Sequence, residues 1–146
     1  MRKFDIAVDI DAPPERVWAV MTDIDRWHEW TESVSRIKRL NNGPFAEGTL
    51  VLIKQPKFPS ALWRITEIIP NKSFTWTSVG PGMHSVASHR IETVDRKTRV
   101  TLSIDYQGLL GGMFGRMTGG ITERYMAMEA AGLKKRVEGT VRTLAR

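Results

Sequence analysis

Residues 120–144 read GITERYMAMEAAGLKKRVEGTVRTL, and their pattern predicts one long amphipathic helix. At about 100° per residue, its apolar positions fall in one stripe, because they recur at spacings of three and four. The stripe consists of Met126, Ala130, Leu133, Val137, Val141 and Leu144. Arg124, Lys135 and Arg142 project from the opposite side. Glu138 stands four residues before Arg142, in the order that favours an ion pair. The apolar face of this helix must be buried against a broad surface, and the strands predicted in the rest of the sequence can form one.

The composition sets the size and class of the protein. With 146 residues, of which 41% are hydrophobic, the chain is expected to form a single domain spanning 1–146. It contains no cysteine, so disulfides and thiolate metal sites are excluded. The N-terminus lacks the apolar segment of a secretion signal, and no run reaches the ~18 residues of a membrane-spanning helix. These features predict a cytoplasmic protein.

The charge is basic but dispersed. The formal net charge is +6 and the isoelectric point is near 10.0. Basic residues occur along the whole chain with acidic residues among them, and Lys134-Lys135-Arg136 is the one run. Such a run on a helix is more typical of a solvated face than of a recognition surface. We therefore expect no specific nucleic-acid partner.

The N-terminal third predicts a strand followed by two short helices. Phe4, Ile6, Val8 and Ile10 alternate with polar or small residues, which is the period of a half-buried strand ending near Asp11. The segment Ala12-Pro13-Pro14-Glu15 then begins a helix, since proline suits the first turn and glutamate suits the helix dipole. A second short helix or turn over Asp23–Trp30 places the indoles of Trp27 and Trp30 on one side.

From residue 33 onward the pattern predicts six further strands. Turn-forming residues at 41–44, 70–71, 80–82 and 95–97 separate them. The connections are short, so consecutive strands are expected to pair antiparallel. The predicted strands are Ser33–Leu40, Gly48–Gln55, Ala61–Ile69, Ser73–Val79, Met83–Val94 and Thr98–Gln107. The faces of Arg64 and Glu67 are not assigned by the pattern.

Several segments resemble the START and polyketide cyclase (SRPBCC) superfamily, in particular its polyketide cyclase/dehydrase-like members. They are IDAPPERVW (10–18), TDIDRWHEW (22–30), GT (48–49), PNKSFTW (70–76), HRIE (89–92) and TRVTL (98–102). The resemblance implies an α+β helix-grip fold, in which a seven-stranded antiparallel sheet curls around the long C-terminal helix and encloses a hydrophobic cavity. Thr31 departs from the pattern, because many relatives have proline there, and the start of strand two is expected to differ.

Histidine provides the first candidate for chemistry. His89 shares a strand face with Ala87 and Ile91, which predicts an inward imidazole able to act as acid, base or hydrogen-bonding group. The alternative is a core histidine bonded to backbone or water, since no spacing identifies an orienting partner. His28 and His84 are predicted to be exposed. Three scattered histidines do not favour a zinc site, so no metal is expected.

Aromatic side chains provide the walls of the predicted cavity. Trp30, Trp63 and Trp76 fit either cavity or core, whereas Trp18 and Trp27 are expected in the core. Tyr106 continues the inward alternation of Val100, Leu102 and Ile104, so its hydroxyl should lie near the cavity mouth and need a partner.

The glycine-rich segment 108–120 precedes the predicted helix. Glycines there indicate mobility or close approach. Leu109, Leu110, Met113 and Phe114 on such a backbone suggest a lid over the cavity, and a loosely ordered turn is the alternative. The candidate cavity residues are therefore Trp30, Trp63, Trp76, His89, Tyr106, Met113, Phe114 and Met126.

Three functions remain open at the level of sequence. The first is a binding or carrier protein for a small hydrophobic molecule, polycyclic or lipid-like, without a cofactor. The second is a cyclase, dehydratase or hydrolase acting on a similar ligand, with His89 and Tyr106 as proton-transfer residues. The third is an interaction module similar to chaperone activators, whose basic helix face meets an acidic partner. A monomer or weak dimer is expected.

Overall fold

The computed structural model describes the backbone of residues 2–145 and the side chains of residues 3–139. Its centre is a seven-stranded sheet in the order β1-β7-β6-β5-β4-β3-β2, and every neighbouring pair is antiparallel, as predicted. The strands β1 and β2 therefore form its two edges. The strands are β1 (Arg2–Ile10), β2 (Arg36–Arg39), β3 (Leu50–Lys54), β4 (Ala61–Ile69), β5 (Ser73–Gly80), β6 (Met83–Val94) and β7 (Lys97–Gln107).

Two short helices lie between β1 and β2, and one long helix closes the chain. Helix α1 spans Pro14–Thr22 and is followed by a 3₁₀ helix over Ile24–Glu29. Proline at the start of α1 has no amide hydrogen to leave unpaired. Helix α2 spans Gly111–Ala145 and packs against the sheet. The predicted helix-grip architecture is confirmed.

The start of α2 differs from the prediction. The helix begins at Gly111 and not near Gly120, so the predicted flexible lid and the alternative loose turn are both wrong. A Cβ atom on Gly111 would stand 2.6 Å from the carbonyl oxygen of Tyr106, and one on Gly119 would stand 3.2 Å from Cζ of Phe4. Of the two predicted reasons for these glycines, close approach of α2 to β7 and β1 is therefore correct.

The apolar stripe of α2 faces the sheet as predicted over its described part. Ala130, Leu133 and Val137 are buried. Met126 was expected to be as deeply buried, but it is only partly covered because it borders a cavity. The remaining predictions on α2 concern the side chains of Val141, Arg142 and Leu144, which lie outside the described residues.

Glu138 ties α2 to the end of β1. Its Oε2 accepts hydrogen bonds from the backbone amide of Asp11 at 2.9 Å and from Nζ of Lys134 at 2.7 Å. Lys134 also donates to the carbonyl oxygen of Asp9, and Arg136 pairs with Glu29 at 2.8 Å. Two members of the basic run thus serve internal contacts.

Two strands depart locally from the predicted pattern. Strand β2 begins at Arg36 and not at Ser33, because the hydroxyls of buried Thr31 and Ser33 bond each other at 2.7 Å in a turn. Strand β4 contains a bulge between Ile65 and Glu67, so that Arg64 and Glu67 both face solvent. Among the described residues, no helix combines the length and hydropathy of a membrane span.

Candidate functional site

A cavity of about 80 Å³ lies between the inner face of the sheet and α2. Its walls are mainly aromatic and aliphatic, with a few polar groups that come from β6, β7, α2 and the residue that follows β3. The aromatic members are Trp27, Phe58, Trp63, Trp76, Tyr106 and Tyr125. The other polar side chains in the lining are Gln55, Ser88, His89, Ser103, Thr122 and Glu129.

The structure places five of the eight predicted cavity residues in this lining. They are Trp63, Trp76, His89, Tyr106 and Met126. Trp27, which the sequence suggested was plain core, is buried and also borders the cavity. Its indole Nε1 donates to the carbonyl oxygen of Met21 at 3.0 Å, so it has no hydrogen left to offer a ligand.

The other three predicted residues lie outside the lining. The ring of Trp30 packs on Trp27 at 5.3 Å, and its backbone lies against Gly132. Met113 is 54% exposed, so it is a surface residue. Phe114 forms a second layer behind the lining, because its ring contacts Tyr106 at 5.0 Å and Phe58 at 6.0 Å.

His89 points inward from β6, as predicted, and its ring is 3% exposed. The imidazole stacks on Phe74 at 4.1 Å with an angle of 12° between the ring planes. Its Nδ1 lies 3.4 Å from the carbonyl oxygen of Phe74. A carbonyl can only accept, so this contact requires the proton on Nδ1 and leaves Nε2 of the neutral ring as an acceptor.

Glu129 of α2 is the site residue that the sequence reasoning missed. Its Oε2 lies 3.7 Å from Nε2 of His89, and its side chain is 19% exposed. The separation is too long for a hydrogen bond, so the two groups face each other across a narrow gap. The helical pattern contained the signal, since Glu129 stands three residues after Met126 and four before Leu133, on the edge of the buried stripe.

Burial shifts the pKa values of the two groups in opposite directions. Desolvation lowers the pKa of His89 to about 3, with a smaller opposing effect from its bond to Phe74. Desolvation raises the pKa of Glu129 to about 8. Near neutral pH the pair is therefore an uncharged imidazole and an uncharged carboxylic acid. Nε2 of His89 is therefore a hydrogen-bond acceptor toward the cavity, and the carboxylic acid of Glu129 is a donor.

Tyr106 occupies the other side of the cavity wall. Its hydroxyl lies 2.8 Å from the hydroxyl of Thr122, and this contact is the hydrogen bond that the sequence predicted Tyr106 to need. Burial raises the pKa of Tyr106, and hydrogen bonds to Thr122 and Thr118 oppose this effect. A buried phenol with a raised pKa is a poor proton donor, but it remains a hydrogen-bonding group.

The connection between β3 and β4 covers one side of the cavity. Nζ of Lys54 donates to the carbonyl oxygens of Gln55, Pro56 and Phe58, which fixes this connection as a tight turn. The backbone amide of Lys57 donates to the hydroxyl of Tyr125 at 3.1 Å. The Phe58 ring is thereby held beside the cavity.

The remaining histidines lie away from the cavity. His28 is exposed as predicted, whereas His84 is half-buried and its Nε2 lies 2.6 Å from Oε1 of Gln107. Within the part of the chain that the structure describes, no three His, Asp or Glu side chains converge as metal ligands would.

Comparison with known proteins agrees with this fold. The profile of the family described as "Polyketide cyclase / dehydrase and lipid transport" matches residues 1–138. No curated protein sequence matches the chain.

Several solved structures share the fold at low sequence identity. The Zhui aromatase/cyclase from Streptomyces sp. R1128 is similar with a TM-score of 0.77 and 18% identity, covering 96% of this chain and 95% of its own. The protein TTHA0849 from Thermus thermophilus has a TM-score of 0.77 and 17% identity, with 95% and 99% covered. The Aha1 dimer from Colwellia psychrerythraea has a TM-score of 0.66 and 19% identity, with 94% and 97% covered. At these identities the likeness concerns the fold alone.

Proposed function

The chain belongs to the polyketide cyclase / dehydrase and lipid transport family, and from this premise we propose that it binds a small, mainly apolar molecule in the cavity beside His89 and Glu129. The observation that carries the proposal is an aromatic cavity with a neutral donor and a neutral acceptor on one wall. Aromatic walls supply apolar contact, and a few polar groups fix the orientation of the ligand.

The polar pair favours a ligand that carries a hydroxyl group. Nε2 of His89 accepts and the carboxylic acid of Glu129 donates, and the 3.7 Å gap between them is not closed by a direct hydrogen bond. A hydroxyl can donate to the imidazole and accept from the acid at the same time. An ether or a hydrocarbon of the same shape can satisfy only one of the two groups, or neither.

The size of the cavity limits what fits without rearrangement. Its volume of about 80 Å³ is well below the ~150 Å³ of an engineered cavity that holds benzene in another protein. A polycyclic or lipid-like ligand therefore requires the lining to move. Met126 is suited to this, since its flexible thioether side chain is only partly covered and borders the cavity.

A matched pair of probes tests the proposal. Binding of 2-naphthol and 2-methoxynaphthalene is titrated through the fluorescence of the lining tryptophans, and the naphthol should bind about tenfold more tightly. Because the ether can accept from Glu129 but cannot donate to His89, the preference should disappear in His89→Leu and persist in Glu123→Leu, an exposed site on α2. If neither probe shows saturable binding, the proposal is wrong.

A dehydratase or cyclase is the second candidate, and the observation that favours it is the carboxylic acid of Glu129 beside the unprotonated Nε2 of His89. In a dehydration, Glu129 gives its proton to a leaving hydroxyl as the C–O bond breaks, and water departs. Nε2 of His89 takes the proton from the adjacent carbon. Transfer of that proton to the carboxylate restores both groups. Tyr106 then serves to bind the substrate and not to move a proton.

The other expected properties remain part of this proposal. We place a single domain in the cytoplasm, acting as a monomer or weak dimer on a small hydrophobic partner. The interaction-module alternative has less support, because Lys134 and Arg136 of the basic run bond to Asp9, Glu138 and Glu29 of the same chain.

A further inference from the structure

The end of the molecule beyond the cavity carries a cluster of exposed apolar side chains. Leu109 is 98% exposed, Val79 is 81% exposed and Met117 is 77% exposed, which are high values for such residues. Leu110 and Met113 are about half exposed beside them. We call this cluster the apolar tip, and its members are Val79, Leu109, Leu110, Met113 and Met117.

The apolar tip is one surface, because the segments that form it are bonded together. The amide of Leu110 donates to the carbonyl oxygen of Gly82 at 2.9 Å, which joins the corner before α2 to the turn between β5 and β6. Gly82 suits this turn, since its φ is +71°, a conformation that residues with a side chain rarely adopt. Leu109 lies in the corner just before α2, and Met113 and Met117 stand four residues apart on the first turns of the helix.

The charges of these segments favour an anionic environment. Residues 79–84 and 108–119 contain no aspartate or glutamate, and Arg116 is exposed between Met113 and Met117. The formal net charge of the chain is +6. An arginine beside protruding apolar side chains can reach phosphate groups while its neighbours enter hydrocarbon.

The tip also adjoins the wall of the cavity. Phe114 follows Met113 in the first turn of α2, and its ring contacts both Phe58 and Tyr106 of the lining. A continuous series of apolar groups therefore leads from the exposed tip to the proposed binding site. We propose that the apolar tip docks on a lipid bilayer with anionic headgroups and that the cavity exchanges its ligand there. The docking step is independent of cavity binding, whereas the exchange rests on the proposed function.

The distribution of the exposed side chains favours a lipid surface over a second copy of the chain. Val79 lies near the end of β5, Leu109 at the corner before α2 and Met117 in the second turn of α2, so the most exposed members come from three separate elements. A fluid bilayer accepts separate protruding side chains, whereas a protein partner must supply a complementary pocket for each.

Vesicle flotation of the full chain, without cavity ligand, tests the docking. Wild type should bind vesicles of phosphatidylcholine with about 30 mol% phosphatidylglycerol, and bind pure phosphatidylcholine more weakly. The double variant Leu109→Ser/Met117→Ser should lose about tenfold or more in partitioning. Leu62→Ser, which alters an exposed leucine on β4, should behave as wild type. Arg116→Ala should reduce the preference for the anionic vesicles.

Three outcomes would overturn the proposal. They are no vesicle binding by wild type, equal binding by the double variant, and a concentration-dependent dimer that the double variant abolishes. Solution binding of 2-naphthol separates this proposal from the function above. If vesicles bind but naphthol does not, the cavity function fails and the docking surface stands. If the double variant binds naphthol normally but not vesicles, both are supported.

Discussion

Gly132 of α2 lies directly against the backbone carbonyl of Trp30, so closely that a Cβ atom at position 132 would overlap the carbonyl oxygen. The same Cβ would stand 3.2 Å from Cε3 of the Trp30 ring. This contact joins the middle of α2 to the end of the 3₁₀ helix. It also explains why Trp30 does not reach the cavity, since its backbone is fixed on the neighbouring turn of α2.

Substitution of Gly132 by alanine should destabilise the protein although alanine favours helices. Relief of the overlap requires a backbone shift of α2 or of the 3₁₀ helix, and we expect a loss of at least ~2 kcal/mol in unfolding free energy. The control is Gly120→Ala on the same helix, where a Cβ meets nothing within 4 Å. That variant should gain about 0.5–1 kcal/mol. Equal effects in urea melts would contradict the contact.

Leu133 tests the assigned face of α2. Its side chain is 1% exposed, and truncation leaves a cavity against the sheet, so Leu133→Ala should cost about 2–5 kcal/mol in urea melts. Leu62→Ala removes the same atoms from a side chain that is 47% exposed, and it should cost much less. A loss below about 0.5 kcal/mol for Leu133→Ala at unchanged slope would show that the face is assigned wrongly.

The sheet and the buried face of α2 could be predicted from the sequence, because buried residues recur along strands and helices with a fixed period. Alternation along β1 and β7, and the spacing of three and four along α2, depend only on local geometry. The start of α2 was not accessible in this way. Gly111 and Gly119 weaken a helix intrinsically, and the reason for them is a close contact. Gly111 approaches the backbone of Tyr106 across a tight corner, and Gly119 approaches Phe4, which is distant in sequence.

The site was predicted in part for the same reason. The inward orientation of His89 and Tyr106 can be predicted from the alternation along their strands. The position of Glu129 opposite His89 cannot, because it depends on which strand α2 crosses. A carboxylate on the edge of an apolar stripe is a visible signal, but its partner is 40 residues away in the chain, as Glu129 and His89 show. The prediction for Met113 is wrong because residues 108–120 do not form a lid, and the first turn of α2 directs the Met113 side chain to solvent.

Glu129 should make stability fall as the pH rises above neutrality. Its pKa is raised from 4.5 to about 8, so the folded state holds a proton that the unfolded state releases between these values. His89, with a pKa lowered from 6.5 to about 3, has the opposite effect between pH 3 and 6.5. The two effects offset each other between pH 4.5 and 6.5. Between pH 6.5 and 8 Glu129 acts alone, with a slope of up to about 1.4 kcal/mol per pH unit.

Urea melts of wild type and Glu129→Gln check this effect. Glutamine keeps the shape and cannot ionise, so its stability relative to wild type should improve by about 2 kcal/mol or more between about pH 5 and pH 8.5. Glu123→Gln on the exposed face of α2 is the control and should show no such improvement. A difference between Glu129→Gln and wild type that stays constant over this range would contradict a buried neutral acid.

Variants of His89 and Glu129 distinguish a carrier from an enzyme. If His89 and Glu129 only orient a ligand hydroxyl, then His89→Gln and Glu129→Gln should weaken binding of 2-naphthol modestly, by about tenfold or less, and there is no turnover to lose. If they transfer protons, both variants should lower the dehydration rate of a β-hydroxy ketone substrate by roughly 10²-fold or more with little change in binding. The wild-type rate should then fall as Glu129 loses its proton, with a midpoint near its pKa of about 8.

Tyr106→Phe removes only a hydroxyl that is bonded to Thr122, so it should affect binding more than rate. A rate abolished by Tyr106→Phe and unchanged in Glu129→Gln would assign the proton transfer to the phenol and refute the role of Glu129 as the acid.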